Sequence, residues 1–263
     1  MEFKVSFDIQ KFVNKMSDLE KKHVPWAVKE TVNHVASIIY KKTKEAIPPA
    51  FQDPTPLTLD SVFVRPAEVD SAKAFAYVGF KDWLTKGIAP NKYLAPSVYG
   101  GDRNKKRSEA SLERKGLLKS DEYLAPGKGL RLNQYGNVSG PTMVQILSAV
   151  GGFTESGYLM NRSYRSVKRN KKLRPFAIMD PPGKPPRGIY ERYGQTHEHT
   201  YKTGRKKGQT IMTLPRKVKP SLIFVRKPMY KKRLEFYEIC EKYSKLTEKI
   251  FHEKMIKAIT NGK

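Results

Sequence analysis

A single cysteine, Cys240, stands in 263 residues, so no disulfide can form within the chain. Structural zinc of the Cys-rich kinds is excluded with it. Histidine is scarce at 5 residues, and 25 acids face 51 Lys and Arg. No stretch approaches the roughly 18 consecutive apolar residues that a membrane span needs. Residues 1–10 alternate polar and apolar, which is neither a signal peptide nor a spanning helix. The protein is therefore expected to be made and used in the cytoplasm, or built there into something larger. No Walker A sequence occurs, and residues 183–188 are proline-rich without the glycine spacing of a dinucleotide loop. No helix-turn-helix, zinc finger or RRM aromatic signature supports sequence-specific readout of nucleic acid.

What the chain has in excess is positive charge, a net +26 with a pI near 10.0. Such a balance implies an anionic partner: nucleic acid, an acidic protein surface or a membrane face. A mean hydropathy of −0.61 in a chain of this length points to a real core that carries long polar excursions.

Phe3, Val5, Phe7 and Ile9 alternate with polar residues and predict a strand. Val24, Val28, Val32, Val35 and Ile39 recur at spacings of three and four, predicting a helix over 24–47 with Pro25 in its first turn. Pro48-Pro49 is expected to stop it. The stretch that follows, Phe51-Gln52-Asp53-Pro54-Thr55-Pro56, has its φ angles fixed and donors removed by proline. With Val62-Phe63-Val64-Arg65-Pro66 after it, this is a hard corner between a helical and a β layer. Residues 61–65 and 74–80 read as a hairpin of two strands. Residues 87–101 read as an ordered loop anchored by Tyr93, Leu94, Val98 and Tyr99, and 109–118 as a short basic helix. Tyr123-Leu124-Ala125-Pro126-Gly127 reads as a turn, and Pro141 opens a short helix. Phe176–Met179 reads as a strand. Ser221-Leu222-Ile223-Phe224-Val225 is the most apolar strand, and 230–259 reads as a second long helix.

These elements define an α+β fold: a small, mostly antiparallel sheet packed by two long helices. Residues 1–86 and 220–263 form the core unit. Residues 87–219 form a basic, Pro/Gly-rich insertion with short helices and strands. Strands 62–80 and 221–225 are expected to share one sheet.

The search for chemistry yields no catalytic, cofactor or metal residues. Cys240 lies on an apolar stripe with no histidine nearby in sequence to activate it, so it reads as core. His197-Glu198-His199 is the densest ligand cluster, but it lies among lysines in what reads as a loop, and i,i+2 imidazoles come together only on a strand. Acids such as Asp53 and Asp60, or Glu68 and Asp70, read as turn and capping residues. The positive signal is the run Arg162, Arg165, Lys168, Arg169, Lys171, Lys172 and Arg174, with Arg205, Lys206 and Lys207 further on. Such residues contact phosphate backbones without sequence preference, or meet acidic patches on neighbouring subunits. Both readings stay open at this level.

Five blocks then carry a family resemblance: Asp53-Pro54-Thr55-Pro56-Leu57-Thr58-Leu59 with Val64-Arg65-Pro66-Ala67; Lys92-Tyr93-Leu94-Ala95-Pro96 with Gly100-Gly101; Tyr123-Leu124-Ala125-Pro126-Gly127; Gln134-Tyr135-Gly136-Asn137-Val138-Ser139 with Val144-Gln145-Ile146-Leu147-Ser148; and Leu222-Ile223-Phe224-Val225-Arg226 with Tyr230-Lys231-Lys232-Arg233-Leu234. In this order they resemble the minor tail protein Z family of lambda-like phages and prophages, the tail-completion or neck proteins of long-tailed phages. Residues 161–219 depart from that pattern. The resemblance implies structural work in a virion: a homo-oligomeric ring, hexameric in expectation, at the head–tail junction. Its expected partners are adjoining neck, connector and tail-terminator proteins and the double-stranded DNA in the channel, with no membrane and no cofactor. Against it stands a second reading, a non-specific nucleic-acid-binding protein acting in phage replication or packaging.

Overall fold

The first sheet is built against one helix of 33 residues, α1 (Asp18–Ala50), about 50 Å long at 1.5 Å per residue. A computed structural model describes residues 1–8, 18–70, 73–84, 87–153, 176–180, 186–194, 197–205, 207–213 and 217–260. The helix outruns its expected span at both ends. Pro25 lies inside it, and Pro48 and Pro49 occupy its last turn. Proline φ suits a helix, so these prolines delete ladder bonds without forcing the chain out at once. Val24, Val28, Val32, Val35, Ile39 and Ile47 are all fully buried. Burial of each contributes about 1.5–3 kcal/mol.

Strands β1 (Glu2–Asp8), β2 (Val62–Asp70) and β3 (Lys73–Phe80) form an antiparallel sheet in the order β1-β3-β2. Its core side is the small one. Ala74, Ala76 and Val78 are buried, while Phe75 and Tyr77 alternate with them and are only half-buried. Small side chains on that side let the valines of α1 approach the sheet closely. Register shifts in β2 between Arg65 and Glu68, around Pro66. The Ala67 N–H in this irregularity donates instead to Asn33 Oδ1 of α1, at 2.7 Å.

Two expectations for this unit are corrected. Residues 90–99, read as a loop, are helix α3 (Pro90–Tyr99), which follows the single-turn α2 (Pro56–Leu59). Pro90 is preorganised for a first helical turn, and Leu94 and Val98 join the first core one turn apart. The expected long C-terminal helix is two helices, assigned α6 (Phe236–Ser244) and α7 (Thr247–Thr260). Thr247 Oγ1 donates to the Ser244 carbonyl at 2.5 Å, an alternative partner that interrupts the ladder. The break shifts the helical phase, which leaves Leu246 and Ile259 exposed while Ile250, Phe251 and Met255 are buried. Before α6 the chain is not helical: Arg233 and Leu234 N–H both donate to the Ser97 carbonyl.

The second sheet has its own core. Strands β4 (Glu122–Pro126), β5 (Phe176–Met179), β6 (Gly188–Tyr193) and β9 (Lys217–Arg226) run antiparallel in the order β4-β9-β6-β5. Helices α4 (Arg107–Arg114) and α5 (Gly140–Ala149) supply Leu112, Ile146 and Leu147 to a cluster with Ile189, Leu222 and Phe224. Glu109 is fully buried; it accepts from the Lys106 N–H at 2.7 Å and the Leu124 N–H at 2.8 Å, tying α4 to β4. Gly188 is required at its position, because a Cβ there would lie 2.3 Å from the Leu222 carbonyl oxygen. A short hairpin of β7 (His197–Thr200) and β8 (Thr210–Thr213) completes the strands.

The fold is α+β, as expected, but the expected single sheet is wrong. Residues 221–225 are central as predicted, yet in the second sheet, between β4 and β6. Residues 123–126, read as a turn, are the strand that pairs with them. The chain divides into one unit of Met1–Arg103 with Met229–Lys263 and another of Asn104–Pro228. Both boundaries therefore differ from the expected 86/87 and 219/220, and the inserted segment carries a packed sheet of its own. No helix among the described residues is long and apolar enough to cross a membrane.

Candidate functional site

The corner after α1 is built from its own side chains. Asp53 has φ 47°, the one non-glycine residue with positive φ among those described. Aspartate tolerates that conformation better than most residues. Thr55 caps α2: its Oγ1 accepts from the Thr58 N–H at 3.2 Å, and Pro56 takes the first helical position. Thr58 Oγ1 in turn lies 3.0 Å from Thr55 Oγ1 and 3.2 Å from the Tyr93 hydroxyl of α3. Burial raises the Tyr93 pKa despite that bond. Asp60 ends α2 and pairs with Lys81 at 2.7 Å; this hydrogen bond holds its carboxyl below the usual range. The corner thus consists of caps and ion pairs that fix an angle. Thr55→Ala is expected to cost about 1 kcal/mol in a thermal or urea melt, with Thr55→Ser close to neutral. An equal loss from both would assign the effect to packing rather than to the cap.

Arg65 and Pro66 are exposed on β2. The Arg65 guanidinium lies 5.8 Å from the Phe63 ring centre and 5.7 Å from that of Tyr77, and the Lys4 ammonium lies 3.6 Å from Phe75. Trp83, 49% exposed, meets Phe63 edge-on at 4.8 Å. The outer face of the first sheet is therefore aromatic with cations laid over the rings. Sequence reasoning named Arg65 but not its setting. The signal was present in Ala74-Phe75-Ala76-Tyr77, whose alternation puts the large residues opposite the core.

The basic candidates fall in two places. Arg162, Arg165, Lys168, Arg169, Lys171, Lys172 and Arg174 lie outside the described residues, as does Lys206. Arg205 and Lys207 are exposed at the tip of the β7–β8 hairpin. His197-Glu198-His199, read from sequence as part of a loop, is strand β7, with His197 opposite Thr213 and His199 opposite Ile211. Among the described residues, no group of three or more His, Cys, Asp or Glu is assembled to hold a metal. Cys240 is fully buried, and burial with the nearby Glu241 charge pushes its thiol up to about 12. At neutral pH it is a protonated core residue rather than a thiolate.

Arg187 is the residue that sequence reasoning missed. Its Nη1 donates to Glu122 Oε2, its Nη2 donates to the Leu117 carbonyl at 2.9 Å, and its guanidinium lies 4.8 Å from the Phe224 ring centre. It clasps β4, β6 and β9 and the turn before β4. A lone arginine in a Pro-Arg-Gly context gives no sequence signal for such a role.

Compared with known protein families, curated proteins and solved structures, the chain has no match.

Proposed function

We propose that the chain is a structural virion protein of a tailed phage, a tail-completion or neck ring subunit that joins tail to head around the DNA channel. The observation that carries this reading is the ordered series of blocks resembling the minor tail protein Z family. Those blocks coincide with α2 and its cap, α3, β4, the Ser139 cap and body of α5, and β9 with the segment that binds Ser97. They thus fall on the parts that set angles within each unit. In this reading the chain catalyses nothing and holds no cofactor. Its partners are further copies of itself, the adjoining neck, connector and terminator proteins, and channel DNA. A closed ring of identical subunits needs heterologous contacts. Proline-fixed segments suit such contacts because they have little ordering entropy left to lose on docking.

The net charge of +26 favours a second reading, a free nucleic-acid-binding protein of phage replication or packaging. Two measurements separate them. Deleting the gene from the phage or prophage that encodes it is expected to give separate heads and tails. The recovery of joined, infectious particles would eliminate the neck reading. Purified chain is expected to bind duplex DNA no better than non-specific proteins do, a Kd of about 10⁻⁴–10⁻⁶ M at physiological salt. Nanomolar binding there would favour the second reading.

A further inference from the structure

The β6–β9 ladder and the β7–β8 hairpin share one register. From Tyr190↔Pro220 to Tyr193↔Lys217, and again from His197↔Thr213 to Thr200↔Thr210, the sum of the partner numbers is unchanged. It holds one step further, where the Tyr201 N–H donates to the Gln209 carbonyl at 3.0 Å. The β7–β8 pair is thus a two-stranded ribbon in the same register as the β6–β9 ladder, and it ends beyond Thr200 and Thr210. The turn at its end is closed by the Lys207 N–H on the Gly204 carbonyl and the Gly208 N–H on the Tyr201 carbonyl, at 3.0 and 2.9 Å. Gly204 and Gly208, with φ of 79° and 80°, make so tight a turn possible.

Every described residue from 200 to 210 is exposed except Tyr201, which is half-buried. Among them Lys202, Arg205 and Lys207 are the charged residues, and no described carboxylate pairs with any of the three. The rest are Thr, Gly and Gln. A protein-binding tip would be expected to carry an apolar or aromatic anchor, since such residues dominate interface energy. None is exposed here. A single-strand binder would be expected to present aromatic faces for stacking. What remains, cations with small hydroxyl and amide donors, is the composition that contacts phosphate oxygens. A two-stranded ribbon also has the width that the major groove of B-form DNA admits, whereas A-form RNA offers a deep, narrow one.

We propose that the tip of this ribbon is a contact for the phosphate backbone of duplex DNA, made by Lys202, Arg205 and Lys207. The contact is sequence-independent and weak for one chain. It deepens the neck reading by naming which part of the subunit meets the channel DNA, and copies of the tip around a ring would add their effects.

The test uses the full chain, a labelled random-sequence duplex of about 30 base pairs, and salt from about 50 to 200 mM. Substituting Lys202→Ser, Arg205→Ser and Lys207→Ser together is expected to lower the salt slope by about 2–3 and the affinity at low salt by at least about tenfold. The charge-keeping variant Lys202→Arg with Lys207→Arg is expected to bind as the parent does. The three positions are exposed, so the melting temperature of both variants should match the parent. An unchanged slope in the serine variant overturns the proposal. So does tighter binding to the single strand than to the duplex. Competition by polyglutamate as effective as that by unlabelled duplex also overturns it, and would reassign the tip to acidic protein surfaces. None of these results bears on head–tail joining, so the contact and the neck reading fail separately.

Discussion

Phe236→Ala is expected to destabilise the unit formed by Met1–Arg103 and Met229–Lys263 by about 3–5 kcal/mol. The ring is fully buried and packs on Phe80 at 5.1 Å and Tyr237 at 5.2 Å between ring centres. It opens α6, so its loss empties the place where the C-terminal helices meet the end of β3. Cys240, one turn along the same helix, reports the result without any label being engineered. The thiol is fully buried, held up to about 12, and is the sole cysteine in the chain. A thiol reagent should modify the parent only through opening of the unit. In Phe236→Ala the rate should rise by more than about 100-fold, the factor that about 3 kcal/mol implies when opening is a fast pre-equilibrium. A rate within threefold of the parent would mean that the cavity closes by repacking. The sign of the pH effect follows from the same burial. Folding keeps the thiol protonated, so its contribution is complete below the ordinary value of 9.0 and is lost as pH climbs from there toward about 12.

How much of this was legible depends on the range of the interaction. The valine stripe of α1 and the alternation in β1 and β3 are local patterns, and all three elements form on those residues, α1 running past its stripe at both ends. The helix opened by Pro141 and the strand at Phe176 are local in the same sense. Residues 90–99 are helix rather than loop because proline at a helix start is a former. The misassigned strand is a different kind of miss. Leu222 and Phe224 announce a central strand but not its neighbours, and both kinds of sheet would have hidden them equally well. Its neighbours were fixed by Tyr123-Leu124-Ala125, masked by the Pro-Gly that follows, and by Gly188, whose missing side chain makes room for the Leu222 carbonyl. Of the candidate site, the threonine and prolines of the corner were legible because capping is local. The reach of Thr58 to Tyr93, across 35 residues, was not. Arg205 and Lys207 were legible as charge alone; their place at a ribbon tip depends on register, which only pairing reveals.

Arg187 is another long-range case, with partners 65 and 70 residues away, and it supports the other large prediction. Arg187→Ala is expected to destabilise the Asn104–Pro228 unit by an amount at the lower end of the about 3–5 kcal/mol that breaking a buried pair costs. The side chains of Arg187 and Glu122 are 20% and 13% exposed, so truncation removes the counter-charge of a largely desolvated carboxylate and leaves it the Lys119 N–H at 2.8 Å. It also leaves the Leu117 carbonyl without this donor and bares one face of Phe224. Arg187→Lys should recover only part of the loss, because an ammonium cannot reach a carboxylate and a carbonyl in one plane while lying over a ring. Replacing Glu122 by glutamine in the Arg187→Ala background should then cost little more. A coupling of about 1–3 kcal/mol between the two sites is expected from the double-mutant cycle. Hydrogen exchange at the amides of β4 and β9 gives the location of the effect, since the clasp joins those strands to β6. Additive losses from the two substitutions would show that arginine and glutamate act separately, and that Phe224 packing rather than the ion pair holds the sheet closed.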